Sequence, residues 1–207
     1  IPLSLYVHWP WCVKKCPYCD FNSHTMPQSH QALSERYIDA LIADLDASVE
    51  LAHNRALQSI FIGGGTPSLM APRLLGRFLE HVAKRYSLAE DIEITMEANP
   101  GTIEHGHFGD YRNLGINRLS MGIQSFDNTL LKRLGRIHDQ REALLAIETV
   151  QKHFDNFNLD VMYALPGQSV DMLKNDLRHA IAAQSTHLSF YQLTIEPNTV
   201  FAKYEPE

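Results

Sequence analysis

The segment that decides the fold is residues 3–19, which read LSLYVHWPWCVKKCPYC. An apolar, strand-like run at its start leads into a loop with two prolines and the cysteines Cys12, Cys16 and Cys19 in a CxxxCxxC spacing. Prolines keep such a loop out of helical conformation and let a short segment curl, so the three thiols can converge. The chain has no other cysteine, and an odd, clustered set cannot form a disulfide framework. The segment therefore predicts a strand followed by a metal site.

The cysteine loop is compatible with more than one kind of centre. Thiolates are the usual ligands of iron–sulfur clusters, and a four-iron cube held by three cysteines leaves one iron open to a small molecule. A structural zinc site with His8 or His24 as the fourth ligand is an alternative, because structural zinc takes four protein ligands. Three buried thiols without a metal are a third reading, for which the clustering offers no packing reason.

The rest of the chain alternates between strand-like and helix-like runs. Six short apolar runs predict strands at Leu3–His8, Ser59–Ile62, Ile92–Glu97, Arg118–Ile123, Leu159–Tyr163 and Leu188–Thr194. Between them lie apolar residues at helical spacing. These are Tyr37, Leu41, Leu45 and Val49; Leu75, Phe78, Leu79 and Val82; Phe108, Tyr111 and Leu114; Leu144, Ile147 and Val150; and Val170, Leu173, Leu177 and Ile181. Two glycines, Gly115 and Gly135, stand where a helix would end.

This alternation predicts an α/β fold, a partial (βα)6 TIM-like barrel of parallel strands with outer helices, as one domain over residues 1–207. In such barrels the active site lies at the C-terminal ends of the strands. Polar or glycine-rich residues that follow each strand are therefore the candidates for function. The chain ends at Tyr204–Glu207, soon after the last expected strand, and we expect a further C-terminal domain to be absent from it.

The bulk composition excludes two classes of protein. A formal net charge of -6 over 207 residues disfavours a dedicated nucleic-acid binder, which needs a surplus of Lys and Arg. No stretch approaches the roughly 20 consecutive apolar residues that cross a bilayer. The segment Ile1–Trp11 lacks the basic flank and cleavage site of a signal peptide. We therefore expect a cytoplasmic protein.

Several strand-end residues suggest a ligand site without proving one. The triplet Gly63–Gly65 lets backbone approach a ligand closely, although it could serve only a turn. Glu97 and Gln124 close successive strands and should reach the barrel mouth, unless both are merely solvated. Asp160 lies inside an apolar strand and needs a polar partner, which could be structural. Arg136 could bind a carboxylate or simply satisfy the end of a helix.

The cysteine motif resembles the cluster-binding signature of the radical S-adenosylmethionine (SAM) superfamily. Further segments resemble, in order, motifs of its HemN/HemW branch: Tyr6–Cys12, Ile62–Ser68, Met96–Pro100, Gly122–Phe126, Arg133–Arg136 and Asn158–Asp160. This resemblance implies a radical SAM core with a [4Fe-4S] cluster on Cys12, Cys16 and Cys19. It also implies that a reduced cluster donates an electron to SAM and cleaves it to methionine and a 5'-deoxyadenosyl radical.

The same resemblance implies roles for nine further residues as SAM contacts. Gly64, Gly65 and Thr66 match the turn that contacts the methionyl part of SAM, and Arg136 matches the partner of its carboxylate. The others are expected near the ribose, the adenine or the cluster: Glu97 and Gln124 at the ribose, Asp160 facing SAM, Tyr18 beside the cluster and adenine, and Tyr6 near cofactor or substrate. None of the eleven histidines is assigned a metal.

One residue decides between the two groups of the branch. The oxygen-independent coproporphyrinogen III oxidases carry an additional cysteine two positions after the triad, where this sequence has Phe21. The sequence therefore resembles the HemW group more, which implies a heme chaperone that binds heme and transfers it to acceptor proteins. The expected partners are a heme or porphyrin ligand, a heme-acceptor protein, an electron donor protein and a second copy in a homodimer. The oxidase is the alternative, and a zinc-stabilised binding module is the remote one.

Overall fold

The computed structural model describes residues 1–28, 30–101 and 107–206. Its main sheet has six parallel strands that lie side by side in chain order, and a two-stranded ribbon carries the cysteine loop. The strands are β1 (Leu3–Trp9), β2 (Trp11–Cys12), β3 (His24–Thr25), β4 (Leu57–Gly64), β5 (Leu88–Ala98), β6 (Arg118–Gln124), β7 (Phe157–Tyr163) and β8 (His187–Gln192). The strands β2 and β3 form the ribbon.

Helices follow or precede the strands of the main sheet as a (βα) repeat requires. They are α1 (His30–Ser48), α2 (Pro72–Arg85), α3 (Phe108–Asn113), α4 (Asn128–Arg133), α5 (Gln140–His153), α6 (Val170–Ala182) and α7 (Val200–Lys203). Short 3₁₀ turns occupy Val49–Ala52 and Pro67–Leu69. Within the described residues, no helix combines the length and the apolar character needed to cross a membrane.

The expected α/β class and all six expected strands are confirmed, with differences at their ends. The third strand begins at Leu88 rather than Ile92, and the last ends at Gln192 rather than Thr194. Among the described residues β1 and β8 lie at opposite edges of the sheet and pair with one neighbour each, so the barrel is partial. Gly115 and Gly135 follow α3 and α4 with φ of 101° and 69°, the left-handed conformation that ends a helix.

One face of the sheet carries the hydrophobic core, and we call it the outer face. Its side chains align across neighbouring strands, so that Val7, Ile62, Met96 and Leu119 stand in register. None of these four is more than 2% exposed, because the outer helices cover them. Burial of apolar area at roughly 25 cal/mol per Å² makes this face the main source of stability.

The helix α2 buries the face that the spacing predicted, with Leu75, Phe78, Leu79 and Val82 in the core. The helix α5 does not bury the face that the spacing predicted. Its buried residues are Ala143, Ala146, Ile147 and Val150, whereas Leu144, expected in the core, is 37% exposed. Two alanines on the contact face let the helix lie close to the sheet and turn Leu144 outward.

The helix α6 also differs from the expectation, because a polar contact sets its rotation. Val170 and Ile181 were expected to be buried and are 68% and 66% exposed. The helix instead buries Asp176 completely. Its carboxylate accepts hydrogen bonds from the Phe126 amide at 2.7 Å and the Ser125 hydroxyl at 2.9 Å. This contact ties α6 to the loop that follows β6.

Candidate functional site

The cysteine loop is held by backbone hydrogen bonds to the glycine turn after β4. The amide of Gly65 donates to the Trp9 carbonyl at 2.6 Å, and the amide of Thr66 donates to the Trp11 carbonyl at 2.8 Å. Below the loop, the rings of Trp9 and Trp11 meet edge to face at a centroid distance of 4.8 Å. The loop therefore rests on a rigid aromatic base and on the end of β4.

Glycine is required in this turn because the two backbones approach so closely. At Gly64 φ is 116°, and a Cβ there would lie 2.8 Å from the Trp9 carbonyl oxygen. At Gly65 a Cβ would lie 2.7 Å from the Trp11 carbonyl oxygen. The sequence suggested that these glycines approach a ligand. The structure adds that they approach the cysteine loop itself.

A cavity of about 460 Å³ opens at the C-terminal ends of the strands and is lined by all three cysteines. Most of the expected cofactor residues share its wall: Tyr18, Gly64, Gly65, Thr66, Glu97, Gln124, Arg136 and Asp160. Tyr6 does not line it. Its side chain is 57% exposed, and its hydroxyl lies 3.1 Å from His8 Nδ1. The structure thus gathers eight of the nine residues around the cysteines and leaves Tyr6 beside the cavity.

Glu97 is held in the cavity by the glycine turn. One of its carboxylate oxygens, Oε2, accepts a hydrogen bond from the Gly64 amide at 3.0 Å. Burial, with a smaller contribution from the negative charge of Asp160, raises the pKa of Glu97 to about 7. Near neutral pH this group is therefore both a hydrogen-bond donor and an acceptor in the population of molecules.

Asp160 has the polar partners that its burial demands. Its Oδ2 accepts from the Ser120 hydroxyl at 2.9 Å, and its Oδ1 accepts from Asn158 Nδ2 at 2.9 Å. The hydroxyl of Ser189 donates to Asn158 Oδ1 at 3.0 Å. Neutral partners from β6 and β7 therefore hydrogen-bond both carboxylate oxygens.

Gln124 is strained and incompletely satisfied. It adopts φ of 62° and is 4% exposed. Its Nε2 lies 3.4 Å from the Tyr191 hydroxyl, while its Oε1 has no hydrogen-bond partner among the described residues. A buried acceptor without a donor costs free energy, and non-glycine residues with positive φ cluster at functional sites. A ligand that donates a hydrogen bond to Oε1 would satisfy this acceptor.

Arg136 and Tyr18 lie together against the second cysteine. The guanidinium donates from Nη1 toward Cys16 Sγ at 3.6 Å and from Nη2 to the Gly122 carbonyl at 2.9 Å and to Asn99 Oδ1. Burial raises the pKa of the Tyr18 hydroxyl, which keeps that group neutral beside the guanidinium.

Among the cavity-wall residues that the sequence reasoning did not assign to the site, Asn99 and Tyr191 make side-chain contacts with Arg136 and Gln124. Asn99 follows β5 directly, so the strand-end rule that selected Glu97 could have selected it too. Tyr191 lies within β8, where it stands in register with Met162. Its role depends on the contact with Gln124, for which no motif gives a signal.

The geometry favours a wide cluster over a single metal ion. The two histidines proposed as zinc ligands are engaged elsewhere, because His8 Nε2 lies 2.9 Å from the Asn22 carbonyl and His24 Nε2 lies 3.1 Å from Asn22 Oδ1. Within the described ranges no three His, Cys, Asp or Glu side chains close around one ion. The three cysteines nevertheless interact electrostatically across one cavity. Thiols that share a cavity without meeting at a point fit a four-iron cube.

Comparison with known proteins gives a consistent result. A family model described as the radical SAM superfamily matches residues 6–180. The chain is 51% identical over 206 residues to the heme chaperone HemW of Escherichia coli K12, a match that covers 99% of this chain and 54% of that protein. It is 48% identical over 211 residues to the heme chaperone HemW of Haemophilus influenzae, covering 100% of this chain and 55% of that protein.

Among solved structures, the fold is similar to that of coproporphyrinogen III oxidase (HemN) from Escherichia coli, described as a radical SAM enzyme. The TM-score is 0.89 at 28% sequence identity, and the match covers 100% of this chain and 47% of the other. The chain spans about half the length of the curated relatives it matches.

Proposed function

Because the chain belongs to the radical SAM superfamily, we propose that it is the barrel region of a HemW-type heme chaperone. The superfamily implies a [4Fe-4S] cluster and SAM as cofactors. The proposal adds that heme is bound and passed to an acceptor protein, and it is supported by relatives at 51% and 48% identity that are named heme chaperones. An electron donor protein, a homodimer and a cytoplasmic location belong to the same proposal.

The cavity that gathers the cysteine triad with the strand-end residues carries this proposal. The thiols of Cys12, Cys16 and Cys19 would hold the cluster and leave one iron for SAM. When bound, these cofactors supply one-electron reductive chemistry, and the protein supplies binding, orientation and exclusion of water. Burial raises the pKa of the Cys12 thiol, and ligation to iron would stabilise its ionised form there.

The remaining wall residues would orient SAM. Gly65 and Thr66 present the turn that follows β4 to the methionyl part, and Arg136 supplies a cation for its carboxylate. The orphan Oε1 of Gln124 suits a ribose hydroxyl donor. Glu97 and Asp160 are further acceptors in the cavity lining, so more than one acceptor could bind the ribose of SAM.

Phe21 separates the chaperone from the second candidate function. The similarity to HemN, with a TM-score of 0.89, favours an oxygen-independent coproporphyrinogen III oxidase as that candidate. Phe21, however, lines the cavity and is 56% exposed, and its ring offers no thiolate at the position where the oxidases carry their additional cysteine. We therefore place the oxidase second.

Anaerobic reconstitution of the full-length protein that contains this chain tests the proposal. We expect about four iron atoms per chain, visible iron–sulfur absorbance that is lost in Cys16→Ser, and reductive formation of 5'-deoxyadenosine from SAM. Loaded heme should then move to an apo acceptor protein without conversion of coproporphyrinogen III. A protein without iron would overturn the radical SAM assignment of the site, and conversion of coproporphyrinogen III would replace the chaperone by the oxidase.

A further inference from the structure

Arg136 is a partly buried cation without a carboxylate partner. Its Nε is completely buried. The ion pairs among the described residues do not include it, and its Nε has no hydrogen-bond partner there. An enclosed charge is costly unless it is paired. The site therefore needs an anion that the described protein residues do not supply as a carboxylate.

The direction of the guanidinium identifies that anion. Two of its acceptors, Gly122 O at 2.9 Å and Asn99 Oδ1, are neutral oxygens that fix the plane of the group. A second nitrogen, Nη1, is directed at Cys16 Sγ at 3.6 Å. A neutral thiol is a weak acceptor, whereas a thiolate is a charged one. A cysteine that ligates iron is a thiolate, so with a cluster bound Nη1 would donate to a charged acceptor.

The contact belongs to a longer chain of hydrogen bonds that joins two cysteines. Asn99, which receives Nη2 of Arg136, donates through Nδ2 to the Thr66 hydroxyl at 3.1 Å. The Thr66 hydroxyl in turn interacts with the Cys12 thiol. A continuous set of contacts therefore connects Arg136 with the first cysteine as well as with the second.

We infer that Arg136 is a positioning residue for the iron–sulfur cluster. Its guanidinium donates an N–H···S hydrogen bond to the Cys16 thiolate and thereby raises the reduction potential of the cluster. The inference rests on the proposed cluster site. Hydrogen bonds to the sulfurs and nearby charge are the protein's means of setting the potential of a cluster. A positive charge favours the reduced cluster because that state carries one more electron.

The test is a redox titration of the reconstituted cluster in the absence of SAM. The reduced cluster is monitored by electron paramagnetic resonance. Leaving out SAM separates this role from carboxylate binding. In Arg136→Met we expect the ratio of reduced to oxidised cluster at a fixed applied potential to fall about tenfold, which for a one-electron couple is about 59 mV. Arg136→Lys keeps the charge but not the planar fork, and its ratio should fall less.

Arg133→Met is the matched control, because Arg133 lies one turn away, is exposed and donates to the Pro166 carbonyl. It removes the same charge, and the reduction potential of its cluster should equal that of the wild type.

An Arg136→Met cluster with the wild-type potential overturns the inference. If a folded Arg136→Met takes up no iron, the potential of Arg136→Lys decides in its place. If Arg136→Met does not fold, the same reading is taken from Arg136→Lys, and an unchanged potential there overturns the inference. A wild-type protein without iron overturns the proposed function and this inference with it.

Discussion

The two faces of the six-stranded sheet share the same strands and differ in chemistry. On the outer face, residues in register such as Ile62, Met96 and Leu119 are completely buried. On the inner face the alternate residues Glu97, Ser120 and Asn158 stand in register and are polar. A two-residue period makes this division possible, because successive side chains of a strand point to opposite faces. The hydrophobic core and the cavity wall are therefore formed by alternate residues of the same strands.

Truncation of an outer-face residue should give the largest change in stability. Leu119 has no exposed surface, and Leu119→Ala leaves a cavity between β6 and the outer helices. We expect the free energy of unfolding to fall by about 2–5 kcal/mol, measured by urea denaturation. The SAM affinity of the reconstituted, folded fraction should not change. A loss of SAM binding as large as the loss of stability would show that the two faces are not separate.

On the inner face, substitution of Glu97 should have the opposite effect on stability. Its pKa is raised to about 7 from an ordinary value of 4.5, so between these values the native state binds more protons than the unfolded state. This group therefore makes stability fall as the pH rises from about 4.5 to 7, and the full penalty persists above 7. Glu97→Gln removes the charge, and at pH 8 it should stabilise the cluster-free protein relative to wild type by on the order of 3 kcal/mol.

Measuring the stability of wild type and Glu97→Gln at both pH 5 and pH 8 separates the effect of Glu97 from that of other titrating groups. Burial lowers the pKa of His138 to about 4, which makes stability rise with pH between about 4 and 6.5, but wild type and variant share this effect. SAM affinity should fall roughly three- to tenfold in Glu97→Gln. Equal stability of the two proteins at pH 8 would contradict the burial of a charged Glu97.

The glycine turn packs against the cysteine loop and also lines the cavity. A substitution there should therefore affect both stability and SAM binding. A Cβ at Gly64 meets His8 and the Trp9 carbonyl, and φ there is 116°. Gly64→Ala should therefore cost about 1–3 kcal/mol of stability and also weaken SAM binding, because the turn must move. Gly109→Ala is the control, since its nearest neighbour would lie at 3.6 Å. A Gly64→Ala protein that matches this control would refute the close contact.

The smallest effect is expected beyond the outer helices, where charged residues of α1 and α2 face solvent. Arg77 pairs with Asp39 at 2.6 Å, and both side chains are well exposed. Arg77→Ala should change the free energy of unfolding by less than about 1 kcal/mol, and the small difference should shrink further in high salt. A loss above 2 kcal/mol, which we do not expect from an exposed pair, would place part of the stability outside the sheet.

The sequence predicted the sheet well because each of its strands is a short apolar run between turn residues. It also predicted most of the cavity wall, since residues such as Glu97 and Gln124 close their strands and the ends of parallel strands share one edge. It failed for the rotation of α5 and α6, which depends on Ala143 and Asp176 and their tertiary contacts. It could not place Tyr6, whose neighbours come from β4, or find Tyr191, which no local pattern marks.

The two hydrogen bonds from Gly65 and Thr66 to the carbonyls of Trp9 and Trp11 join the cysteine loop and the glycine turn into one rigid unit. Any event that orders one of them lowers the entropic cost of ordering the other. For the proposed cluster and SAM, thermodynamic reciprocity then means that the binding of each would favour the binding of the other to the same degree.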